Sequence, residues 1–202
     1  MADIGIMGGT FDPVHNGHLL LARQAYEEYQ LDQIWFMPSG QPPHKQNRRV
    51  SPVKDRCEMV RLAIAGTAHF VFSDFEVTRT GYSYTARTLK LLRKQYPQHC
   101  FYFIIGADSL YEIESWYHPK EVMEQTVLLV AGREYEHGRR SLEEQIDYLS
   151  VRYHARIYRL HCAAVDISSE ELRGMAARGE TMVQYVPKQV EEYIQAHGLY
   201  LT

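Results

Sequence analysis

No stretch of this 202-residue chain stays apolar for the ~20 residues that a membrane-spanning helix needs, which excludes an ordinary bilayer span. Cysteine is scarce as well. Cys57, Cys100 and Cys162 are odd in number, far apart and without CxxC spacing, so a disulfide framework is not expected. They read as reduced, mostly packed thiols of a cytoplasmic protein. An excess of one charge is missing too: 22 basic residues face 25 acidic ones, a net charge of −3. That balance argues against a broad nucleic-acid-binding surface and leaves room for a local basic pocket that holds a small anion. Met1-Ala2-Asp3 does not lead from a basic stretch into an apolar core, so no secretory signal is expected. Repeats, low-complexity segments and a convincing linker are also lacking, since the polar loop from Glu134 to Arg140 is too short for a domain boundary. With 45% hydrophobic residues, the length suits one sizeable core, and residues 1–202 are expected to form a single domain.

What is present alternates between two periods. Ile4, Ile6 and Met7 predict a strand running into Gly8-Gly9, and Leu19, Ala22, Tyr26 and Tyr29 recur at helical spacing. A second strand is expected at 34–37, followed by a Pro/Gly/Gln loop from Ser39 to Val50. Ser51-Pro52 resembles an N-cap with proline at the first helical position, opening a helix to about Ala65. Phe70 to Phe75 predicts a third strand, Tyr84 to Tyr96 a helix stopped by Pro97, and Phe101 to Ile105 an apolar strand buried on both faces. A fifth strand at 127–131 precedes helices near 141–149, 169–178 and 187–197. Another strand is expected before Ile167. This order implies a Rossmann-like, doubly wound parallel sheet with helices on both faces and a small helical C-terminal part. Ligands of such sheets sit at the carboxyl ends of the strands.

The most informative segment is GGTFDPVHNGHL, residues 8–19. Gly8-Gly9 lets backbone approach a bulky ligand, Asp12-Pro13 turns the chain, and a helix starts near Asn16. The segment is neither a GxGxxG fingerprint nor a P-loop, which would need GK[ST]. It still supplies a phosphate site: helix-start amides and the helix dipole favour an anion. His15 and His18, three apart, fall on one face of the first turn and can donate hydrogen bonds to a polyphosphate. Taken alone, the glycines are an ordinary tight turn. The histidines could ligate zinc, but no Cys/His cluster follows to complete such a site.

This loop resembles the HxGH loop of the nucleotidyltransferase superfamily, which is related to the HIGH loop of class I aminoacyl-tRNA synthetases. Five later segments resemble bacterial nicotinate-nucleotide adenylyltransferases, in order. They are Pro38 to Lys45, Tyr82 to Thr85, Phe103 to Asp108 with Trp116, Asp166 to Ser169 with Arg173, and Tyr185 to Pro187 leading to His197 through Tyr200. Each is weak or moderate alone; the ordered set is specific and spans nearly the whole chain.

The resemblance implies adenylyl transfer from ATP to nicotinic acid mononucleotide, giving a dinucleotide and pyrophosphate. It assigns His15, His18, Lys45 and Arg173 to catalysis. ATP would meet Gly8, Gly9, Thr10, Phe11, His15, His18, Gly106, Asp108, Ser168 and Arg173. The acceptor would meet His44, Lys45, Tyr84, Thr85, Trp116 and Tyr117, with Trp116 stacked on the nicotinate ring. Mg²⁺ would accompany ATP with few protein ligands, and no dedicated protein metal site is expected.

Each residue also has a plainer reading. The 42–45 segment is an exposed loop, Asp108 a helix cap, Trp116 and Tyr117 core aromatics, and Ser169 an N-cap. Arg87 departs from an acidic residue in the family, and Glu170 with Glu171 from a small one. Rival functions are transfer to another phosphorylated acceptor, such as nicotinamide mononucleotide or phosphopantetheine, a catalytically silent nucleotide sensor, and a synthetase-related RNA-binding module. Oligomeric state is open, a homodimer being one option.

Overall fold

The computed structural model describes residues 1–42, 50–132, 140–162 and 167–201. Six strands make one wholly parallel sheet: Asp3–Gly9 (β1), Gln33–Pro38 (β2), Phe70–Phe72 (β3), Cys100–Gly106 (β4), Val127–Ala131 (β5) and Arg156–Leu160 (β6). Their spatial order is β3-β2-β1-β4-β5-β6. Strand periodicity divides the apolar side chains between two cores. Ile34 and Phe36 of β2 and Leu129 of β5 enter one; Met37 of β2 and Leu128 and Val130 of β5 enter the other.

Helices Asn16–Glu28 (α1), Val53–Ile64 (α2), Ser169–Ala177 (α7) and Lys188–Ala196 (α8) cover the first core. Helices Thr85–Gln95 (α3), Ala107–Glu112 (α4), Pro119–Gln125 (α5) and Leu142–Tyr153 (α6) cover the second. Leu92 and Leu128 are wholly buried, and burial of each stabilises the fold by about 1.5–3 kcal/mol. Both C-terminal helices thus complete a helical layer of the doubly wound fold. No helix among the described residues is long and apolar enough to cross a membrane.

From β1 the chain winds outward through β2 to β3, then returns to place β4 on the other side of β1. Connections therefore leave in opposite directions at β1 and β4, and the crevice at their carboxyl ends is where sheets of this kind bind ligands.

Several local expectations change. The third strand stops at Phe72: the Ser73 amide makes a last bond to β2, at the Phe36 carbonyl, and Asp74 begins a turn closed by the Thr78 amide. Pro52 occupies the N-cap of α2, not the first helical position, and Ser51 does not cap. Ser51 is engaged elsewhere: its amide donates to Asp12 Oδ2 and its carbonyl accepts from Arg56 Nε. Ser168, not Ser169, caps α7, while the Ser169 hydroxyl donates to the Pro13 carbonyl. Asp108 lies in the first turn of α4, with Gly106 at the cap. Within the strand expected at Phe101 to Ile105, burial on both faces does not hold throughout: Tyr102 and Phe103 are only partly buried, and Phe103 lines the crevice. The short helix α5 was not anticipated by the sequence.

Candidate active site

A cavity of about 910 Å³ opens at the predicted crevice. The end of β1 forms its floor. Gly8, Gly9 and Thr10 line it, and a Cβ on Gly9 would come within 3.2 Å of the Phe11 ring below. Phe11 itself is not on the wall. It takes a positive φ of 52°, is buried, and packs its ring edge-on against His18 at 5.0 Å and beside Phe36. Its place is structural support, where the sequence reading had it among the ATP contacts.

His15 stands at the N-cap of α1 and His18 on its first turn, and both line the cavity. Their rings lie 3.7 Å apart, tilted by 33°. The His15 amide donates to His18 Nδ1 at 3.2 Å, so a neutral His18 carries its proton on Nε2. Burial pushes the His15 pKa down to about 4, leaving that imidazole neutral at pH 7. His15 is thus neutral, and its Nδ1 is buried without a hydrogen-bond partner among the described residues.

The loop carrying these histidines is tied down from distant parts of the chain. Arg173 Nη1 donates to the Asp12 carbonyl at 2.7 Å and to the Ser169 carbonyl. Tyr200 Oη donates to Asp12 Oδ1 at 2.8 Å, and burial beside that carboxylate drives the tyrosine pKa far up. The Asn16 amide donates to the Tyr185 carbonyl. Arg173 therefore reaches the cavity wall on a fork fixed by two carbonyls, with Ser168, Ser169 and Glu170 beside it. Glu171 explains one departure from the family pattern. Its carboxylate accepts from the Ser168 amide and hydroxyl at 2.7 Å each, completing a capping box and holding its pKa below the usual carboxylate range.

Gly106 and Asp108 line the same cavity beyond β4. At the end of β5, Gly132 adopts a φ of 155°, and a Cβ there would meet the Ala107 Cβ at 2.6 Å, so only glycine lets the chain pass.

On the opposite side, Thr85 begins α3 and Trp116 follows a 3-10 turn at 113–115; both line the wall, Trp116 also packing on the second core. Tyr84 and Tyr117 do not line it. Their rings lie against each other at 4.4 Å, and Tyr117 is mostly exposed. Arg87 is exposed and away from the cavity. His44 and Lys45 lie outside the described residues.

Sequence reasoning did not find Glu76 or Arg56. Glu76 lines the cavity, accepts from Thr88 Oγ1 at 2.6 Å and from the Ser83 hydroxyl, and its pKa is raised by burial. It sits in irregular chain with no periodic signal. Arg56 had one: it shares the Met59 and Val60 face of α2, where a charge stands out.

Comparison with known proteins narrows the chemistry. A family model described as cytidylyltransferase-like matches residues 6–192. A protein of Lachnoclostridium phytofermentans named "Probable nicotinate-nucleotide adenylyltransferase" is 42% identical over 201 residues, covering 100% of both chains. One of the same name from Desulfitobacterium hafniense is also 42% identical, covering 98% of this chain and 95% of its own. The Plasmodium falciparum nicotinic acid mononucleotide adenylyltransferase complexed with NaAD shares the fold, with a TM-score of 0.81 at 19% identity, covering 99% of this chain and 98% of its own. With the HxGH loop, the switch-point cavity and full-length likeness in agreement, the chain belongs to the nicotinate-nucleotide adenylyltransferases of the cytidylyltransferase-like family.

Proposed function

We propose that this cleft transfers the adenylyl group of ATP to the phosphate of nicotinic acid mononucleotide, the whole chain acting as one nucleotidyltransferase domain. The observation that carries the reading is the pair of imidazoles at the start of α1, facing one cavity with Arg173 on its wall. The triphosphate lies along Gly8 to Thr10, His15, His18, Ser168 and Arg173, and the adenosine lies toward Gly106 and Asp108. The acceptor occupies the side of Thr85 and Trp116, its carboxylate near the first amides of α3, which have no intrahelical partner. Lys45 and His44 are assigned to acceptor phosphate by the sequence resemblance.

An oxygen of the acceptor phosphate attacks the α-phosphorus, the bond to the bridging oxygen breaks, and pyrophosphate leaves. A phosphate monoester, with a second pKa of about 6, is already mostly dianionic at pH 7, so the nucleophile needs no strong base. The work of the site is to align two anions and stabilise charge on the departing pyrophosphate. His18 Nε2–H and the Arg173 fork meet that charge, while depressed basicity keeps His15 a donor without a net charge. Mg²⁺ would accompany ATP, with few protein ligands. When bound it shields the negative charge between the two substrates. The three free thiols fit a reducing compartment, in keeping with the cytoplasm.

The test is pyrophosphate release with ATP plus nicotinic acid mononucleotide or its amide at equal concentration. The acid is expected to be preferred by about 10- to 150-fold in kcat/KM, the worth of a charge-assisted contact of about 1.5–3 kcal/mol. Equal use of both acceptors refutes the acid assignment, and no release with either refutes the activity.

A further inference from the structure

Arg56 is 1% exposed and, among the described residues, donates only to backbone carbonyls. Nη1 reaches the Thr10 carbonyl at 2.7 Å, Nη2 the Ser39 carbonyl at 2.9 Å and the Gly40 carbonyl at 3.4 Å, and Nε the Ser51 carbonyl at 3.1 Å. Those carbonyls belong to three separate stretches of chain. Thr10 follows β1 at the phosphate floor, Ser39 and Gly40 leave β2 on the acceptor side, and Ser51 re-enters at the foot of α2. Thr10 and Ser39 line the cavity; Arg56 itself lies behind the wall.

A buried cation is costly, and hydrophobic residues of similar volume commonly serve a core equally well. Here burial lowers the guanidinium pKa while the Asp12 carboxylate opposes that shift. Asp12 is itself joined through Ser51, whose amide it accepts. What a planar fork adds over an apolar side chain is several donors in fixed relative directions, able to hold several strands of backbone in one spacing. The spacing held here is between the phosphate floor and the acceptor-side loop.

We propose that Arg56 is a positioning residue that sets the separation of the two substrates, registering the Thr10 loop against the Ser39–Gly40 loop so that the acceptor phosphate meets the α-phosphorus in line. The inference rests on the assignment above of ATP to the β1 loop and the acceptor to the other side. Each substrate bound alone can adjust to its own loop. Only the ternary complex needs both loops in register, so the residue acts on turnover more than on either binary affinity.

Arg56→Lys keeps the charge but gathers its donors at one atom, which cannot span carbonyls in three stretches. Expected is a fall in kcat of about 100-fold, as for a misplacement near 1 Å, with ATP and acceptor Kd each within about threefold of the parent. Arg56→Gln, neutral and shorter, should show the same split, and melting temperatures accompany both. The proposal is overturned if kcat stays within about threefold in folded variants, or if turnover and both affinities fall together with stability. Two variants that both lose the fold would overturn it as well, by making Arg56 a support of the fold alone. A parent enzyme that ignores the acceptor is a different failure, that of the proposed function.

Discussion

Of the helix starts that border the cavity, those of α1 and α7 both carry a capping box, but they build it from different groups. α7 closes on itself: Ser168 caps it, Glu171 returns the hydrogen bond, and Glu170 and Glu171 place negative charge where the helix dipole is positive. α1 has no acidic residue in its first turn and has histidine where serine, threonine or aspartate would stabilise best. Its cap imidazole is buried, with a depressed pKa and an unpaired nitrogen. The difference teaches where stability has been given up. The α7 box ends in a charged carboxylate, whereas the α1 box is made of two imidazoles, one of them with a buried nitrogen that has no hydrogen-bond partner among the described residues.

The comparison breaks most sharply at His18. Removing its imidazole takes away a donor that matters as charge moves onto pyrophosphate. His18→Ala is therefore expected to lower kcat by about 10²–10³. ATP affinity should fall much less, because the contact strengthens in the transition state. Stability should drop by only about 1 kcal/mol, from the lost edge-on contact with Phe11. Measurements of kcat, ATP Kd and melting temperature on one variant decide it. Normal turnover in a folded protein rejects the role.

His15 makes the cost of the α1 helix start measurable through pH. Its folded pKa of about 4 lies below the unfolded value of 6.5, so between the two the unfolded chain binds the proton more readily. Stability from this group is then fully present above pH 6.5 and is lost as pH falls toward 4. The loss amounts to about 3 kcal/mol at most, at 1.36 kcal/mol per pKa unit. Denaturant unfolding of the parent and of His15→Asn across that window should diverge by this much, the parent losing more. Parallel curves would show that burial of His15 carries no such penalty. Bound ATP should shrink the divergence, since an anion beside the ring favours the protonated form.

How far the sequence revealed all this follows the same divide between local and assembled features. The α1 start was legible because strand, Gly-Gly, turn and HxGH are contiguous, and the alternation of strands with helices pointed to the parallel sheet. Caps were misassigned by one residue where a serine had a tertiary partner. Ser51 is drawn to Asp12 and Arg56, and Ser169 to Pro13, across 39 and 156 residues of chain in the outer two cases. No local rule can register such partners. Phe11 was assigned to ATP as part of the HxGH loop that carries the family resemblance, whereas it takes a positive φ and its ring is buried in the core. Glu76 gave no pattern at all, and Tyr200 was visible only as the end of a family segment, since their partners Thr88 and Asp12 meet them only once the chain has folded.

The smallest effect offers the most controlled comparison. α6 carries a second capping box with nearly the same geometry as that of α7. The Ser141 amide donates to Glu144 Oε2 at 2.7 Å and the Glu144 amide to Ser141 Oγ at 3.2 Å. The matching distances for Ser168 and Glu171 are 2.7 and 3.2 Å. Of these two, only the α7 box lies on the cavity wall, through Ser168. Ser141→Ala and Ser168→Ala should therefore each lower stability by about 1 kcal/mol, the ordinary worth of a lost cap. Their kinetics should separate, with ATP KM rising several-fold for Ser168→Ala and staying put for Ser141→Ala. Denaturant midpoints and ATP KM for both variants provide the measurement. If the two behave alike in ATP use, the start of α7 is a frame and nothing more, and Ser168 leaves the set of ATP contacts. If Ser168→Ala alone loses ATP affinity, the closed helix start also touches the nucleotide, and the divide between frame and ligand site runs through α7 itself.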